Sequence, residues 1–351
     1  MALVIDPPPS RTDGRLAELA GGRRSGVPAR GDATITIGLI NNMPDSALEG
    51  TETQFTSLLR SVPGAGTVRL RVAALPEVPR GPEAAARIAR QYWHIDDLLA
   101  APLDALIVTG TEPRAQSLRT EPYWGRLVEV MAYAQAHTVS TIWSCLAAHA
   151  AVLELDGIER QRLPEKRCGV FDHRLLSGHP LTANLGQSQP VPHSRWNDLP
   201  IEQLKAAGYA VLSESPETGA DAFVRHDRSL FVFLQGHPEY EERTLLKEFQ
   251  RDVVRFVTGQ QPTYPSVPAG YFGPAAMELL TAFRRDLQAG RLADPLAAFP
   301  FTAVAATLSN SWREPASRFY GNWLAYIAEQ RSGGVSPVAS RYDCAGQEGS
   351  A

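Results

Sequence analysis

The stretch that decides the fold is Thr138–Leu155, which reads TVSTIWSCLAAHAAVLEL. Its first residues are rich in β-branched and aromatic side chains, a composition typical of a buried strand. The residues from Leu146 onward are compatible with a helix, and Cys145 stands between the two. A strand that turns sharply into a helix displays the residue at the turn above the carboxyl edge of the sheet. The sequence therefore predicts a nucleophile elbow with Cys145 at its tip.

The segments that precede this stretch alternate between strand and helix patterns. The predicted strands are Thr34–Ile40, Val68–Ala74, Leu103–Thr109 and Thr138–Trp143, and the predicted helices between them are Gly50–Leu59, Glu83–Arg90 and Trp124–Ala136. This order indicates βαβ units, whose strands form a parallel sheet covered by helices on both faces. The predicted fold class is α/β, with a mostly parallel sheet flanked by helices.

A second loop places chemical groups at the same edge. The strand Leu230–Leu234 is followed by His237 and Glu239 and then by an amphipathic helix predicted for Glu241–Val257. Because neighbouring parallel strands end at one edge of a sheet, His237 is expected to meet Cys145. A histidine near a thiol can act as a general base, and a carboxylate two residues later can orient the imidazole ring.

Each motif alone also has a structural interpretation. A lone buried cysteine is more often a packing residue than a nucleophile. The combination is more specific, because both the helix that Cys145 opens and a nearby imidazole favour the reactive thiolate. His149, four residues after Cys145, could approach the thiol, but we predict a packed residue there.

Composition excludes several classes of function. With a hydrophobic fraction of 44% and a charged fraction of 21%, the chain resembles an ordinary globular protein. The net charge of -4 offers no basic face for nucleic acid. The absence of an apolar run of about 18 residues and of a signal peptide predicts a cytoplasmic protein without a membrane segment. Three scattered cysteines predict neither a disulfide framework nor a metal site.

The chain is expected to contain one main domain with appendages. Residues 1–33 and 331–351 carry Pro, Gly and charged residues without sustained periodicity, which predicts a flexible leader and a flexible tail. The catalytic domain is predicted to span residues 34–258. Residues 259–330 are predicted to form a C-terminal extension that packs on this core.

Ordered motifs along the chain carry a resemblance to a known family. They are Asn42-Met43-Pro44, Thr51-Glu52-Thr53-Gln54-Phe55, Leu106-Ile107-Val108-Thr109-Gly110, Tyr123-Trp124, Ser140-Thr141, Cys145, Gly169-Val170-Phe171, Pro192-His193-Ser194-Arg195, Gly236-His237-Pro238-Glu239-Tyr240, Arg251-Asp252-Val253 and Ser311-Trp312-Arg313. Over roughly residues 35–330 the chain resembles the homoserine O-succinyltransferase/O-acetyltransferase family. The resemblance implies a class I glutamine-amidotransferase-like fold.

The resemblance also implies a reaction. In this family a cysteine takes an acyl group from acyl-CoA, either succinyl-CoA or acetyl-CoA, and passes it to the hydroxyl of L-homoserine in methionine biosynthesis. Cys145 would form the acyl thioester, His237 would accept the proton, and Glu239 would complete the set. Acyl-CoA would be a co-substrate, with no permanently bound cofactor. Partners would be small-molecule substrates and a second copy of the chain in a homodimer.

By the same resemblance the substrate contacts fall on Lys166, Ser194 and Arg251. Without it, Lys166 and Arg251 have the pattern of solvated surface charges. Pro192–Trp196 is predicted to be a loop that could grip a polar substrate. Arg251 suits the carboxylate of an amino acid, because a guanidinium can bind it in bidentate fashion.

The chain departs from the family pattern in three places. Asp45 and Ser46 replace a pair of lysines, and Leu146 and His149 replace a tryptophan and a glutamine. Arg114 stands where the family has glycine for succinyl-CoA and glutamate for acetyl-CoA. Because an arginine can pair with the distal carboxylate of a succinyl group, Arg114 favours succinyl-CoA as donor, although the side chain could equally fill the space and point outward.

Three alternatives stay open at this stage. The acceptor could be another hydroxy amino acid such as serine. The same catalytic residues would also support hydrolysis of an amide, as in glutamine amidotransferases. The changes near Met43 and Cys145 would fit a non-catalytic homologue that binds a metabolite, although the intact Cys145, His237 and Glu239 argue against it.

Overall fold

The computed structural model describes residues 1–9, 34–64, 66–176 and 178–333. The strands are β1 (Ala2–Ile5), β2 (Thr34–Ile40), β3 (Thr67–Ala73), β4 (Ala105–Thr109), β5 (Ser140–Ser144), β6 (Gln161–Leu175), β7 (Ser188–Asp198), β8 (Ala210–Val211), β9 (Ser213–Ser215), β10 (Gly219–Ala220), β11 (Ala222–His226) and β12 (Leu230–Leu234). The helices are α1 (Leu48–Ser61), α2 (Pro82–Gln91), α3 (Ile95–Ala100), α4 (Trp124–His137), α5 (Leu146–Asp156), α6 (Ile201–Ala206), α7 (Thr244–Val257), α8 (Pro274–Gln288), α9 (Phe301–Ala305) and α10 (Arg313–Ser332).

The main sheet has the strand order β1-β3-β2-β4-β5-β12-β11-β8 in the part of the chain that the structure describes. The pairs from β1 to β12 are parallel, and β11 and β8 add an antiparallel edge. Every residue of β4, β5 and β12 is buried, as expected for central strands that helices cover on both faces. The predicted class, α/β with a mostly parallel sheet flanked by helices, is confirmed.

Alternate side chains of the central strands enter two apolar layers. Trp143 of β5 packs in the layer that contains α4 and α5, whereas its neighbour Ile142 packs in the layer that contains α1 and α10. The C-terminal helix α10 contributes buried Tyr320 and Trp323 to this second layer. The indole of Trp323 donates a 2.9 Å hydrogen bond to the hydroxyl of Ser140. The C-terminal extension is therefore part of the core beneath the elbow strand.

A smaller antiparallel sheet with the order β10-β9-β6-β7 stands beside the main sheet. The long strands β6 and β7 pair from Gln161↔Asp198 to Arg174↔Ser188. Pro192–Trp196 lies inside β7, so its prediction as a loop was wrong. Two prolines and several polar residues in β7 hide the alternating pattern of a strand. His193 and Arg195 are nevertheless buried, because they form hydrogen bonds with residues distant in sequence.

The predicted terminal boundaries need correction where the structure describes them. The first residues form β1, which pairs in parallel with β3, and Asp6 forms a 2.9 Å ion pair with Arg69. Residues 1–9 therefore extend the sheet edge, and the rest of the predicted leader, residues 10–33, lies outside the described residues. Helix α10 continues to Ser332, and residues 334–351 of the predicted tail also lie outside them.

Candidate active site

Cys145 occupies a strained turn between β5 and α5. Its φ of 52° and ψ of -113° lie in a region that residues with a side chain rarely adopt. The strain is held by neighbours, since the Cys145 amide donates a 2.7 Å hydrogen bond to the carbonyl of Leu234 in the adjacent strand. The predicted elbow is present, and its thiol is partly exposed.

The N-terminus of α5 adds a donor beside the thiol. The amide of Leu146 opens the helix and has no hydrogen-bond acceptor among the described residues. The loop after β4 passes so close that a Cβ atom on Gly110 would lie 2.5 Å from the Leu146 Cβ and 3.0 Å from its amide nitrogen. An amide with a free hydrogen at a helix N-terminus can stabilise a negative oxygen.

His237 lies in the loop after β12 and joins the thiol to a carboxylate. Its Nδ1 is 2.8 Å from Oε1 of Glu239, and its side chain also hydrogen bonds with Cys145. Because Glu239 engages Nδ1, the nitrogen available to the thiol is Nε2. Burial opposes a charge on the imidazole, but the negative charges of Cys145 and Glu239 outweigh it and raise the pKa of His237 well above its ordinary value. The structure thus brings all three predicted catalytic residues together.

The backbone of the His237 loop is fixed from two sides. The amide of Gly236 donates to Oδ1 of Asp221 at 2.7 Å, and the amide of His237 donates to the carbonyl of Pro192 at 2.8 Å. A Cβ atom on Gly236 would lie 2.5 Å from Cγ1 of Val191. Glycine is therefore required for the loop to approach β7 this closely.

The three predicted substrate contacts converge on one acidic patch of α7. Nζ of Lys166 lies 2.9 Å from Oδ2 of Asp252 and 3.4 Å from Oε2 of Glu248. The hydroxyl of Ser194 donates to the same oxygen of Glu248. Arg251 pairs with Asp252 at 2.9 Å while its side chain stays 48% exposed, so the guanidinium is open to a ligand.

Glu248 is the central residue that sequence reasoning missed. Burial opposes its charge, but Lys166 and the hydrogen bonds from Ser194 and Tyr240 prevail and hold the pKa of the carboxyl below its usual value. Glu248 is therefore ionised although it is mostly buried. The signal available in the sequence was the spacing of Glu248 and Asp252 one helical turn apart on one face of α7.

Arg114 lies on the exposed loop after β4. The carboxylate of Glu121 anchors this loop, because its Oε1 accepts hydrogen bonds from the amides of Arg114 and Ala115 at 2.7 and 2.6 Å. The guanidinium of Arg114 forms no ion pair with any residue that the structure describes. Gly110, which contacts the elbow, is on the same loop.

Two further groups near the site are held uncharged. His149 is fully buried with Nε2 2.9 Å from Oε1 of Gln235, and burial lowers its pKa to about 3, which confirms the prediction of a packed residue. Cys168 pairs with Ser194 across the antiparallel ribbon that β6 and β7 form, and burial raises the pKa of its thiol to about 12. Of the two cysteines that the structure describes, Cys145 is thus the one beside the imidazole of His237.

A buried cluster of His173, His193 and Asp221 has the ligand types of a metal site. Its hydrogen bonds point to another role. Arg195 donates to Nδ1 of His193 at 3.3 Å, which leaves the proton of that ring on Nε2, 3.2 Å from Nε2 of His173. Oδ1 of Asp221 already accepts from Gly236. These groups support the His237 loop, and the adjacent guanidinium disfavours a cation.

Comparison with known proteins accounts for this arrangement. The family model described as homoserine O-succinyltransferase matches residues 29–333. The chain is 47% identical to the homoserine O-succinyltransferase of Rhodopseudomonas palustris over 296 residues, which cover 84% of this chain and 89% of the relative. The chain belongs to the homoserine O-succinyltransferase family. It is therefore an acyltransferase, and the resemblance drawn from the ordered motifs is confirmed.

A second relative and two solved structures are also similar to the chain. The homoserine O-succinyltransferase of Methylorubrum extorquens is 45% identical over 316 residues, with 90% of this chain and 94% of the relative covered. Among solved structures, SMU.1228c is similar with a TM-score of 0.48 at 13% identity, covering 84% of this chain and 99% of that chain. A glutamine amidotransferase from Methylobacillus flagellatus has a TM-score of 0.46 at 13% identity, with coverages of 84% and 95%.

In the described residues, no helix is both long and apolar enough to cross a membrane.

Proposed function

We propose that this member of the homoserine O-succinyltransferase family transfers a succinyl group from succinyl-CoA to the γ-hydroxyl of L-homoserine through a thioester on Cys145. The observation that carries the proposal is the charge-balanced cluster of Lys166, Arg251, Glu248 and Asp252 on β6 and α7. The names of the curated relatives support both the succinyl group and the acceptor.

The first half-reaction uses the elbow. The sulfur of Cys145 attacks the thioester carbon of the donor, while His237 holds the thiol proton. The bond between the carbonyl carbon and the CoA sulfur breaks, and the proton on His237 passes to the leaving CoA thiolate. The amide of Leu146 stabilises the negative oxygen of the tetrahedral intermediate. Glu239 holds the imidazole ring with Nε2 toward the sulfur.

The second half-reaction uses the same groups with the acceptor in place of CoA. His237 removes the proton from the acceptor hydroxyl, whose oxygen attacks the acyl carbon on Cys145. The bond between carbon and sulfur breaks, and the proton returns to the Cys145 thiolate. No further reactant is required, because each proton removed in one half-reaction is given back in it.

The acceptor site suits a zwitterionic amino acid. The cations of Lys166 and Arg251 pair with the anions of Glu248 and Asp252. An amino acid can exchange these contacts for its own, with the ammonium on Glu248 and the carboxylate on the half-exposed guanidinium of Arg251. Strand β7 joins the acidic patch to the catalytic loop, because the hydroxyl of Ser194 donates to Glu248 and the carbonyl of Pro192, two residues earlier, accepts from the amide of His237.

The proposed identity of the acyl donor depends on Arg114. Its guanidinium is exposed and free of ion pairs within the described residues, on the loop that also carries Gly110 beside the elbow. A free guanidinium favours a donor with a distal carboxylate, which succinyl-CoA has and acetyl-CoA lacks. Together with the names of the curated relatives, this supports succinyl-CoA as the donor, and we propose that the reaction serves methionine biosynthesis.

Intact mass measurement tests the proposal. After incubation with succinyl-CoA alone the protein should gain one succinyl group, which L-homoserine removes as O-succinylhomoserine. Cys145→Ala should gain none, and Cys168→Ala should gain it as the wild type does. Absence of an adduct and of turnover with homoserine or serine would overturn acyl transfer. Release of ammonia from glutamine would replace it with amide hydrolysis, and rescue of a methionine auxotroph tests the pathway.

A further inference from the structure

Tyr240 contacts both halves of the site through different parts of its side chain. Its ring stacks on the imidazole of His237, with centroids 4.3 Å apart and planes inclined by 16°. Its hydroxyl donates a 2.6 Å hydrogen bond to Oε1 of Glu248. The other oxygen of Glu248 receives Ser194 and Lys166. One buried side chain therefore bridges the proton acceptor and the acidic patch.

The backbone around Tyr240 is fixed by the C-terminal extension. The indole of Trp312 donates a 2.8 Å buried hydrogen bond to the carbonyl of Tyr240, and Arg313 forms a 2.8 Å ion pair with Glu241. These contacts account for the Ser311-Trp312-Arg313 motif, which neither half-reaction uses. Because these contacts fix the main chain at Tyr240 and Glu241, the orientation of the Tyr240 ring depends on the groups that contact its side chain.

Among the described residues, Glu248 is the one hydrogen-bond partner of the Tyr240 hydroxyl, and it fixes the direction of the O–H bond. Burial raises the pKa of Tyr240 well above its ordinary value, so the phenol keeps its proton and donates it to Glu248. A ligand ammonium that draws Glu248 toward itself changes this hydrogen bond and the tilt of the ring. The stacked imidazole lies directly against that ring.

We propose that Tyr240 is a positioning residue that couples occupancy of the acceptor site to the orientation of His237. The kinetic consequences of this inference rest on the proposed function, because they refer to its two half-reactions. Loss of the hydroxyl should affect the acceptor step alone, because only that step uses Glu248. Loss of the ring should affect both steps, because both use His237.

Separate measurement of the two half-reactions tests the coupling. In Tyr240→Phe we expect Cys145 to be succinylated at a rate within about twofold of the wild type, while KM for L-homoserine rises about tenfold. In Tyr240→Leu the succinylation rate should also fall, by about tenfold. Tyr271→Phe is the matched control, since it removes a half-buried hydroxyl bound to the carbonyl of Glu242 and should leave both values unchanged. Equal losses in both steps of Tyr240→Phe would overturn the proposal.

A measurement without substrate separates this inference from the proposed function. The imidazole signals of His237, assigned through His237→Asn, are recorded by NMR in the wild type, Glu248→Gln, Tyr240→Phe and the double variant. Coupling through the hydroxyl predicts that Glu248→Gln shifts the His237 signals in the wild-type background and leaves them in place in the Tyr240→Phe background. The same shift in both backgrounds would overturn the coupling, even if acyl transfer is established. Disappearance of the shift in the Tyr240→Phe background would support the coupling, even if no donor acylates Cys145.

Discussion

The amide of Cys145 donates a 2.7 Å hydrogen bond to the carbonyl of Leu234, the last residue of β12. This bond continues the parallel ladder between β5 and β12, whose last paired residues are Ser144 and Leu234. The distance between the nucleophile and the His237 loop is thus set by backbone bonds in the most buried part of the sheet. Catalytic groups placed on such rigid elements hold their geometry better than groups on free loops.

Replacement of Gly236 by alanine should damage both stability and activity. The added methyl group would lie 2.5 Å from Val191 and 2.6 Å from Oδ1 of Asp221, so the His237 loop must move. We expect the free energy of unfolding to fall by about 1–3 kcal/mol. The succinylation rate of Cys145 should fall about 100-fold, because a displacement of about 1 Å disrupts the proton transfer.

Gly125→Ala provides the matched control for that experiment. Gly125 is inside α4 with nothing within 4 Å of the added Cβ atom, so alanine should be neutral or raise the free energy of unfolding by about 0.5–1 kcal/mol. Urea unfolding and the mass-based acylation rate measure both variants. Wild-type activity in Gly236→Ala would show that the contact with β7 does not position His237.

The sequence predicts the parts of the site that depend on local pattern. The strand Leu230–Leu234 is found within the predicted bounds, and the elbow at Cys145 lies between β5 and α5 as expected. Both are short apolar segments whose pattern is fixed by burial under helices. Helix α7 starts later than predicted, at Thr244, because the amide of Tyr240 turns back to bond with the carbonyl of His237.

The rest of the site depends on contacts between distant segments and leaves little local signal. The ribbon of β6 and β7 is held by partners such as Thr218, 45 residues from His173. Glu248 and Arg251 have the sequence pattern of a solvated helix face, and contacts with distant Lys166 and Ser194 of the β6–β7 pair cover the acid. Periodicity reports local exposure, so it cannot show that a second sheet covers α7.

The two described cysteines should differ in their reactivity toward iodoacetamide. Because burial raises the pKa of Cys168 to about 12, its thiol stays protonated at pH 8 and should alkylate slowly. Both cysteines are partly exposed, but Cys145 lies beside His237 and should alkylate first, with loss of activity. Peptide mass spectrometry reads each site separately, and in urea the two rates should become equal. Faster labelling of Cys168 in the folded protein would refute this assignment.

Glu239→Gln should destabilise the protein most at low pH. The pKa of His237 in the fold is raised above its unfolded value, so its contribution to stability is fully present below about pH 6.5. That contribution is lost as the pH rises through the raised pKa. We expect a loss of about 3 kcal/mol in the free energy of unfolding at pH 6, from breaking a buried pair.

The loss in Glu239→Gln should shrink as urea unfolding is repeated at rising pH up to pH 10. Glu314→Gln is the control, because it removes an exposed ion pair with Arg318 on α10 and should cost little at any of these pH values. A loss for Glu239→Gln that stays constant with pH would mean that Glu239 does not stabilise the protonated imidazole.

Arg114→Glu should reduce the preference for succinyl-CoA over acetyl-CoA. The substitution replaces an exposed guanidinium with a carboxylate that repels the distal carboxylate of the succinyl group, while the anchor between the loop amides and Glu121 is retained. We expect the ratio of kcat/KM for the two donors to fall about fivefold, with KM for homoserine unchanged.

Arg228→Glu makes the same charge change in the turn before β12, at the opposite edge of the sheet, and should leave the ratio unaltered. The effect should also weaken as salt is added, since charges this exposed are screened. An equal fall in both variants would indicate a long-range effect of net charge, and no fall in Arg114→Glu would remove this residue from donor selection.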